Sequence, residues 1–131
     1  MKQTNWLEVL DWKAEELEDL RFVGYSYIRQ GHYEMALTFF EALIVLSNED
    51  LYDLQTLGAL YLQTGNNLMA LNYLEKAVKI DNAHAPTLLN RSKALLALGY
   101  KTQGLMQAKL LQSHPEAHIA SQAAALALAY P

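Results

Sequence analysis

The 131-residue sequence contains no cysteine. That absence removes a disulfide framework, a thiolate zinc site and a thiol nucleophile together, and it fits a reducing compartment. Long apolar runs are missing too. The uncharged stretch 117–131 is Ala-rich and too short to span a bilayer. The opening Met1-Lys2-Gln3-Thr4-Asn5 leads into an acidic amphipathic stretch, not into the apolar core of a secretory signal, so a cytoplasmic protein without a membrane partner is expected. There is no dense basic face. Lys76, Lys79, Arg91, Lys93, Lys101 and Lys109 are scattered and do not alternate with aromatics, which argues against nucleic acid. Phosphate loops, dinucleotide fingerprints, nucleophile elbows and His-Glu-x-x-His motifs are all missing. His114 and His118 stand four apart but flank Pro115 and find no third ligand beyond Glu116, so they read as a solvated helix start. His32 and His84 fall at turns. The acids Glu8, Asp11, Glu15, Glu16, Glu18 and Asp19 spread over several helical faces and read as solvated surface. No enzyme activity, metal or cofactor is expected.

What is present suits one globular domain: 52% hydrophobic and 18% charged residues, with a net charge of −4. The charge is lopsided. Residues 1–53 carry 11 acids and 4 bases, whereas residues 54–131 carry 3 acids and 6 bases.

The chain repeats itself. Residues 17–50 laid over 51–84 agree at 11 of 34 columns, among them Leu20/Leu54, Gly24/Gly58, Tyr27/Tyr61, Gly31/Gly65, Ala36/Ala70 and Glu41/Glu75. A weaker third copy, 85–118, keeps Leu88, Leu96, Gly99 and Leu105, with small Ser92 and Gly104 under Gly58 and Ala70. End repeats drift because one face meets no neighbour.

Each unit reads as two helices. Leu17, Leu20, Val23, Gly24, Tyr27 and Ile28 follow helical spacing, and Gly31 breaks the helix as a left-handed cap. A second helix carries Ala36, Leu37, Phe40, Leu43 and Ile44 and ends near Ser47-Asn48, with Glu49-Asp50 opening the next. Gly24 and Ala36, like Gly58 and Ala70, are placed where paired helices cross closely. Tyr27, Phe40, Tyr61 and Leu74 are expected to fill the space between units. Pro86 sits in a first turn, and Pro115 is expected to open a last helix in the same way. The expected organisation is all-α: a flanking helix at 5–16, repeats at 17–50, 51–84 and 85–118, and a closing helix at 115–130.

The strings Leu20-x2-Val23-Gly24-x2-Tyr27-x8-Ala36-x3-Phe40 and Leu54-x2-Leu57-Gly58-x2-Tyr61-x8-Ala70-x3-Leu74-x2-Ala77 resemble the tetratricopeptide repeat (TPR). Two departures stand out: Leu43 replaces the usual Ala, and Pro115 comes one position early. The resemblance implies a right-handed superhelix of three helix-turn-helix repeats whose first helices line a concave, partner-binding surface. Carried onto this chain, that surface holds Glu18, Arg21, Tyr25, Ile28 and Arg29; then Tyr52, Gln55, Ala59, Leu62 and Gln63; then Pro86, Leu89, Lys93, Leu96 and Ala97. The carboxylate clamp of heat-shock co-chaperones is missing, since its positions hold Arg21, Tyr25, Thr56, Pro86 and Asn90. An apolar groove of this kind suits an amphipathic helix or an extended apolar segment of a protein partner.

The stretch from Gly24-Tyr25 through Gly31-His32-Tyr33-Glu34 to Val45-Leu46, in a small acidic chain with flanking helices, resembles the TPR chaperones of bacterial type III secretion. Chain length favours the branch that holds the needle subunit. The resemblance then implies a cytoplasmic virulence chaperone that keeps a small helical substrate from polymerising before its transport, with a small helical co-chaperone on the first repeats. Chaperones of the pore-forming translocators and a generic scaffold are the alternatives. Trp6 and Trp12 either staple the N-terminal helix to repeat one or meet that co-chaperone. The uncharged closing helix either packs on its own repeat or contacts another chain, giving a homo- or hetero-oligomer through the terminal helices.

Overall fold

The computed structural model describes residues 4–10, 12 and 14–130. Asp11, one of the acids singled out above, lies outside the described residues. Eight helices and no strands are found among them: α1 (Trp6–Val9), α2 (Ala14–Arg29), α3 (Tyr33–Leu46), α4 (Leu51–Gln63), α5 (Asn67–Ile80), α6 (Ala85–Ala97), α7 (Lys101–Leu111) and α8 (Ala117–Ala129). Helices α2/α3, α4/α5 and α6/α7 form three antiparallel hairpins that stack in chain order into a superhelix. Helix α8 packs on α6 and α7.

The hairpin turns follow from glycine. Gly31, Gly65 and Gly99 have φ of 77°, 86° and 92°, a region that costs a side-chain-bearing residue energy. Each sits one residue past its helix cap and closes a double hydrogen bond: Gly31 N donates to Ile28 O at 3.0 Å and His32 N to Tyr27 O at 2.9 Å, satisfying two orphan carbonyls. Between α3 and α4 no glycine is available, and Asn48 and Glu49 take positive φ instead. Glu49 therefore belongs to the turn and not to the next helix. Asp50 alone caps α4, its side chain accepting from the Tyr52 and Asp53 amides.

Two expectations about the ends change. The expected helix at 5–16 is a single helical turn, α1, which packs on α3, while α2 begins at Ala14. Asn5 caps that turn by accepting from the Glu8 amide. Pro115 stands in the bend before α8 and not in its first turn, because Glu116 is the N-cap.

The small residues mark the crossings, although not quite as expected. A Cβ on Gly58 would lie 2.6 Å from Leu74 Cγ, and one on Gly24 would lie 2.8 Å from Phe40 Cε2. Phe40 and Leu74 therefore sit on the glycines inside their own hairpins, and they also belong to cores shared with the next unit, Phe40 with Leu54 and Leu57 and Leu74 with Ala94. In the third hairpin Ser92 Oγ donates to the Gly104 carbonyl at 2.8 Å. Tyr61 joins units too. It stacks on Tyr73 with ring centroids 5.7 Å apart, and both hydroxyls donate to Glu41 on the preceding hairpin. Burial first, and then the Glu41 carboxylate, raises both phenols, Tyr73 to about 12.

Candidate binding groove

First helices α2, α4 and α6, followed by α8, line one side of the superhelix, and three depressions run along it. The first, of about 340 Å³, lies between α2 and α4 and is lined by Tyr25, Ile28, Tyr33, Gln55, Thr56, Ala59, Leu60 and Gln63. The second, of about 410 Å³, is lined by Ala59, Leu62, Gln63, Asn90, Lys93 and Ala97. The third, of about 320 Å³, is formed by Lys93, Gln122, Ala125, Leu126 and Ala129. Ala59 and Gln63 are shared by the first two, and Lys93 by the last two, so the three make one continuous groove. Its lining holds a single cation, Lys93, whose Nζ donates to Gln122 Oε1 at 3.2 Å, and no carboxylate. Gln55, Gln63, Asn90 and Gln122 supply amides that both donate and accept hydrogen bonds. Tyr25 closes one end of the wall, its hydroxyl 3.4 Å from Thr56 Oγ1 and its ring edge-on to Phe40.

The sequence-derived set divides on the structure. Tyr25, Ile28, Gln55, Ala59, Leu62, Gln63, Lys93 and Ala97 line the groove. Arg21 does not: its guanidinium turns to the fully buried Asp53, with Nε 2.8 Å from Oδ1 and Nη2 2.7 Å from Oδ2, and it also meets Glu18. The pair ties α2 to α4, and the hydrogen bond to Asp53 holds the arginine proton even more firmly than usual. Arg29 leans over the Phe22 ring at 5.7 Å and donates to Ser26 Oγ, lining none of the depressions. Tyr52 is exposed at the start of α4, with its ring edge-on to His84. Pro86 is likewise exposed at the start of α6 and lines no depression. Leu89 and Leu96 are buried. Leu89 packs with Ile119 and Ala123 of α8, and Leu96 fills the space left by Gly104 on α7. Neither faces the groove, because repeat three has a helix covering each of those flanks.

Sequence reasoning missed Tyr33, Leu60 and the whole contribution of α8. The signal for α8 was an apolar helix directly after a third hairpin, the place of one more first helix. Trp12 is half-buried against the first core, which also takes Leu7. Trp6 stays exposed at a separate depression with Ile44, Val45 and Glu49. Helix α8 packs on its own hairpin through Ile119 and Ala123 and leaves Leu128 81% exposed. Among the described residues no three His, Asp or Glu side chains gather where a metal could sit, and no helix is long and apolar enough to cross a membrane.

The tetratricopeptide-repeat family model matches residues 22–50 and 54–84, so these two hairpins are TPR units and the chain is a TPR-like superhelix. Among curated proteins, none matches the sequence. Solved structures do match in shape. A type III secretion complex from Aeromonas hydrophila superposes with a TM-score of 0.83 at 22% identity, over 98% of this chain and 89% of that one. The Yersinia enterocolitica type III secretion translocator chaperone SycD gives 0.79 at 21% identity, over 98% and 99% of the two chains. PcrH from Pseudomonas aeruginosa gives 0.76 at 22%, over 90% and 93%. At these identities the likeness defines the fold. It also removes the length argument for the needle-subunit branch, since SycD, a translocator chaperone, is matched over 99% of its own length.

Proposed function

We propose that this protein is a non-catalytic, cytoplasmic chaperone of type III secretion translocator proteins, holding a segment of its client in the groove formed by α2, α4, α6 and α8. The single observation that carries the reading is that groove's chemistry, continuous and without a carboxylate, with one lysine and several amides spaced along apolar walls. An extended segment leaves its own backbone N–H and C=O groups unpaired, and Gln55, Gln63, Asn90 and Gln122 are positioned to satisfy them. An amphipathic helix, whose backbone is paired internally, would make no such use of Gln55, Gln63 and Asn90. The structural neighbours support the client class: SycD was solved with a peptide of the translocator YopD, and PcrH with the chaperone binding regions of PopB and PopD.

The test is recovery of the partner from the native cytoplasm, with intact mass as the readout, for wild type and Ala59→Glu. Ala59 is shared by two depressions, whereas Leu62 also packs against Ala70, Leu74 and Ala94, so a charge at Ala59 probes the groove more cleanly. A large membrane-active client, lost in the variant while helicity is kept, is the expected result. A short self-assembling helical client would return the reading to the needle branch, and partners indifferent to the substitution would leave only a scaffold.

A further inference from the structure

One repeat position faces the groove from each of the three first helices, and it is filled differently every time. Tyr25 on α2, Ala59 on α4 and Lys93 on α6 stand 34 residues apart, and all three line the depressions. An aromatic ring, a methyl group and a cation thus follow one another along walls that are otherwise apolar or amide. Lys93 borders both the second depression and the third, so it marks the passage from α6 to α8.

This half-buried lysine has no counter-charge. Its Nζ donates to the neutral Gln122 Oε1 at 3.2 Å, and among the described residues no carboxylate pairs with it. Arg91, two residues earlier, is already held by Glu75 of α5. The surrounding chain has little else to offer. Residues 82–131 carry four bases (Arg91, Lys93, Lys101 and Lys109) and one acid, Glu116. Glu116 is the N-cap of α8, more than one turn before Gln122. A hydrogen bond from an ammonium to a carboxylate is roughly twice as strong as one between neutral groups. The amides of Asn90 and Gln122, which line the two depressions that Lys93 separates, can donate to the same carboxylate.

We propose, resting on the client reading above, that Lys93 selects an acidic residue of the bound segment, an Asp or Glu seated between the second and third depressions. That pair fixes the register of the segment. Apolar contacts and amide-to-backbone hydrogen bonds recur along the groove, and they accept an extended segment slid by one strand period of two residues. A single charge pair does not, because a slid segment leaves Lys93 unmatched.

A phage-displayed library of random linear peptides, selected on the purified full chain, tests the assignment. Groove-bound peptides are those that lose binding to Ala59→Glu. They are expected to carry Asp or Glu at one fixed position, and Lys93→Gln should weaken them about tenfold or more. Lys109→Gln, an exposed charge on α7 outside the groove, should leave them unchanged. Selection on Lys93→Glu should place Lys or Arg at the same fixed position. Circular dichroism should show unchanged helicity in every variant. Groove-bound peptides without a fixed acid, or with affinity indifferent to Lys93→Gln, overturn the proposal and leave the client reading standing. Equal weakening by Lys109→Gln also overturns it, since attraction to the basic half as a whole would then suffice. A library without any peptide sensitive to Ala59→Glu counts against the groove itself, and the role of Lys93 falls with it.

Discussion

The joint between the first two hairpins and the joint that closes the third start from the same repeat position, Arg21 in one and Leu89 in the other, with opposite chemistry. At the first, Arg21 reaches forward to a completely buried Asp53. One repeat on, the same two positions hold Gln55 and Thr87, and Thr87 bonds to His84 in its own turn, at 2.7 Å. At the last joint, Leu89 simply packs on Ile119 and Ala123 of α8. One stacking geometry thus adds a buried ion pair to its apolar core at one end and relies on apolar burial at the other. The difference lies in what each joint tolerates. A buried pair depends on both partners, since either one alone is an uncompensated charge. An apolar joint loses only in proportion to the volume removed.

The largest expected effect breaks the polar joint. Arg21→Leu should cost about 3–5 kcal/mol in urea unfolding, because Asp53 is left buried and alone, while the Arg21→Leu/Asp53→Leu pair should regain most of that loss. Equal losses in the single and double variants would show that the joint does not act as a pair. At the apolar joint Leu89→Ala should cost about 2–4 kcal/mol in the same assay, and no second-site removal is expected to restore it. Inside a hairpin, Gly58→Ala should lose about 1–3 kcal/mol as its Cβ presses on Leu74. An unchanged melting temperature there would contradict the close crossing.

The smallest effect is one of pH at the α3–α5 contact. The Tyr73 phenol is raised from 10.0 to about 12 in the folded chain, so its contribution is fully present below pH 10 and is lost as pH rises through about 12. Melting temperature should fall across that window, and Tyr73→Phe should flatten the fall.

These joints also explain what was legible beforehand. The hairpins could be read because glycine at a left-handed cap and a small residue at a crossing are local demands that recur every 34 residues. The middle of the groove was readable for the same reason: Tyr25, Ile28, Ala59 and Leu62 sit at repeat positions whose neighbours are other repeats. Arg21 was misplaced because its position borders both the groove and the next hairpin, and only the partner at Asp53 decides between them. The identity of Asp19 and Asp53 was the available hint. Leu89 and Leu96 were misplaced because repeat three is flanked by α8 and closely approached by α7 at Gly104, contacts that the repeat pattern does not carry. The needle-subunit reading rested on length, and length does not choose the branch, because a solved translocator chaperone matches this chain end to end.

The central claim is that a client occupies the inner groove. The most direct measurement places a photo-crosslinking residue in the full chain at Ala59, inside the groove, and separately at Asn72, on the exposed side of α5, within the native cell. The account requires a client crosslink from Ala59 and none from Asn72. A client captured from Asn72 alone would contradict it.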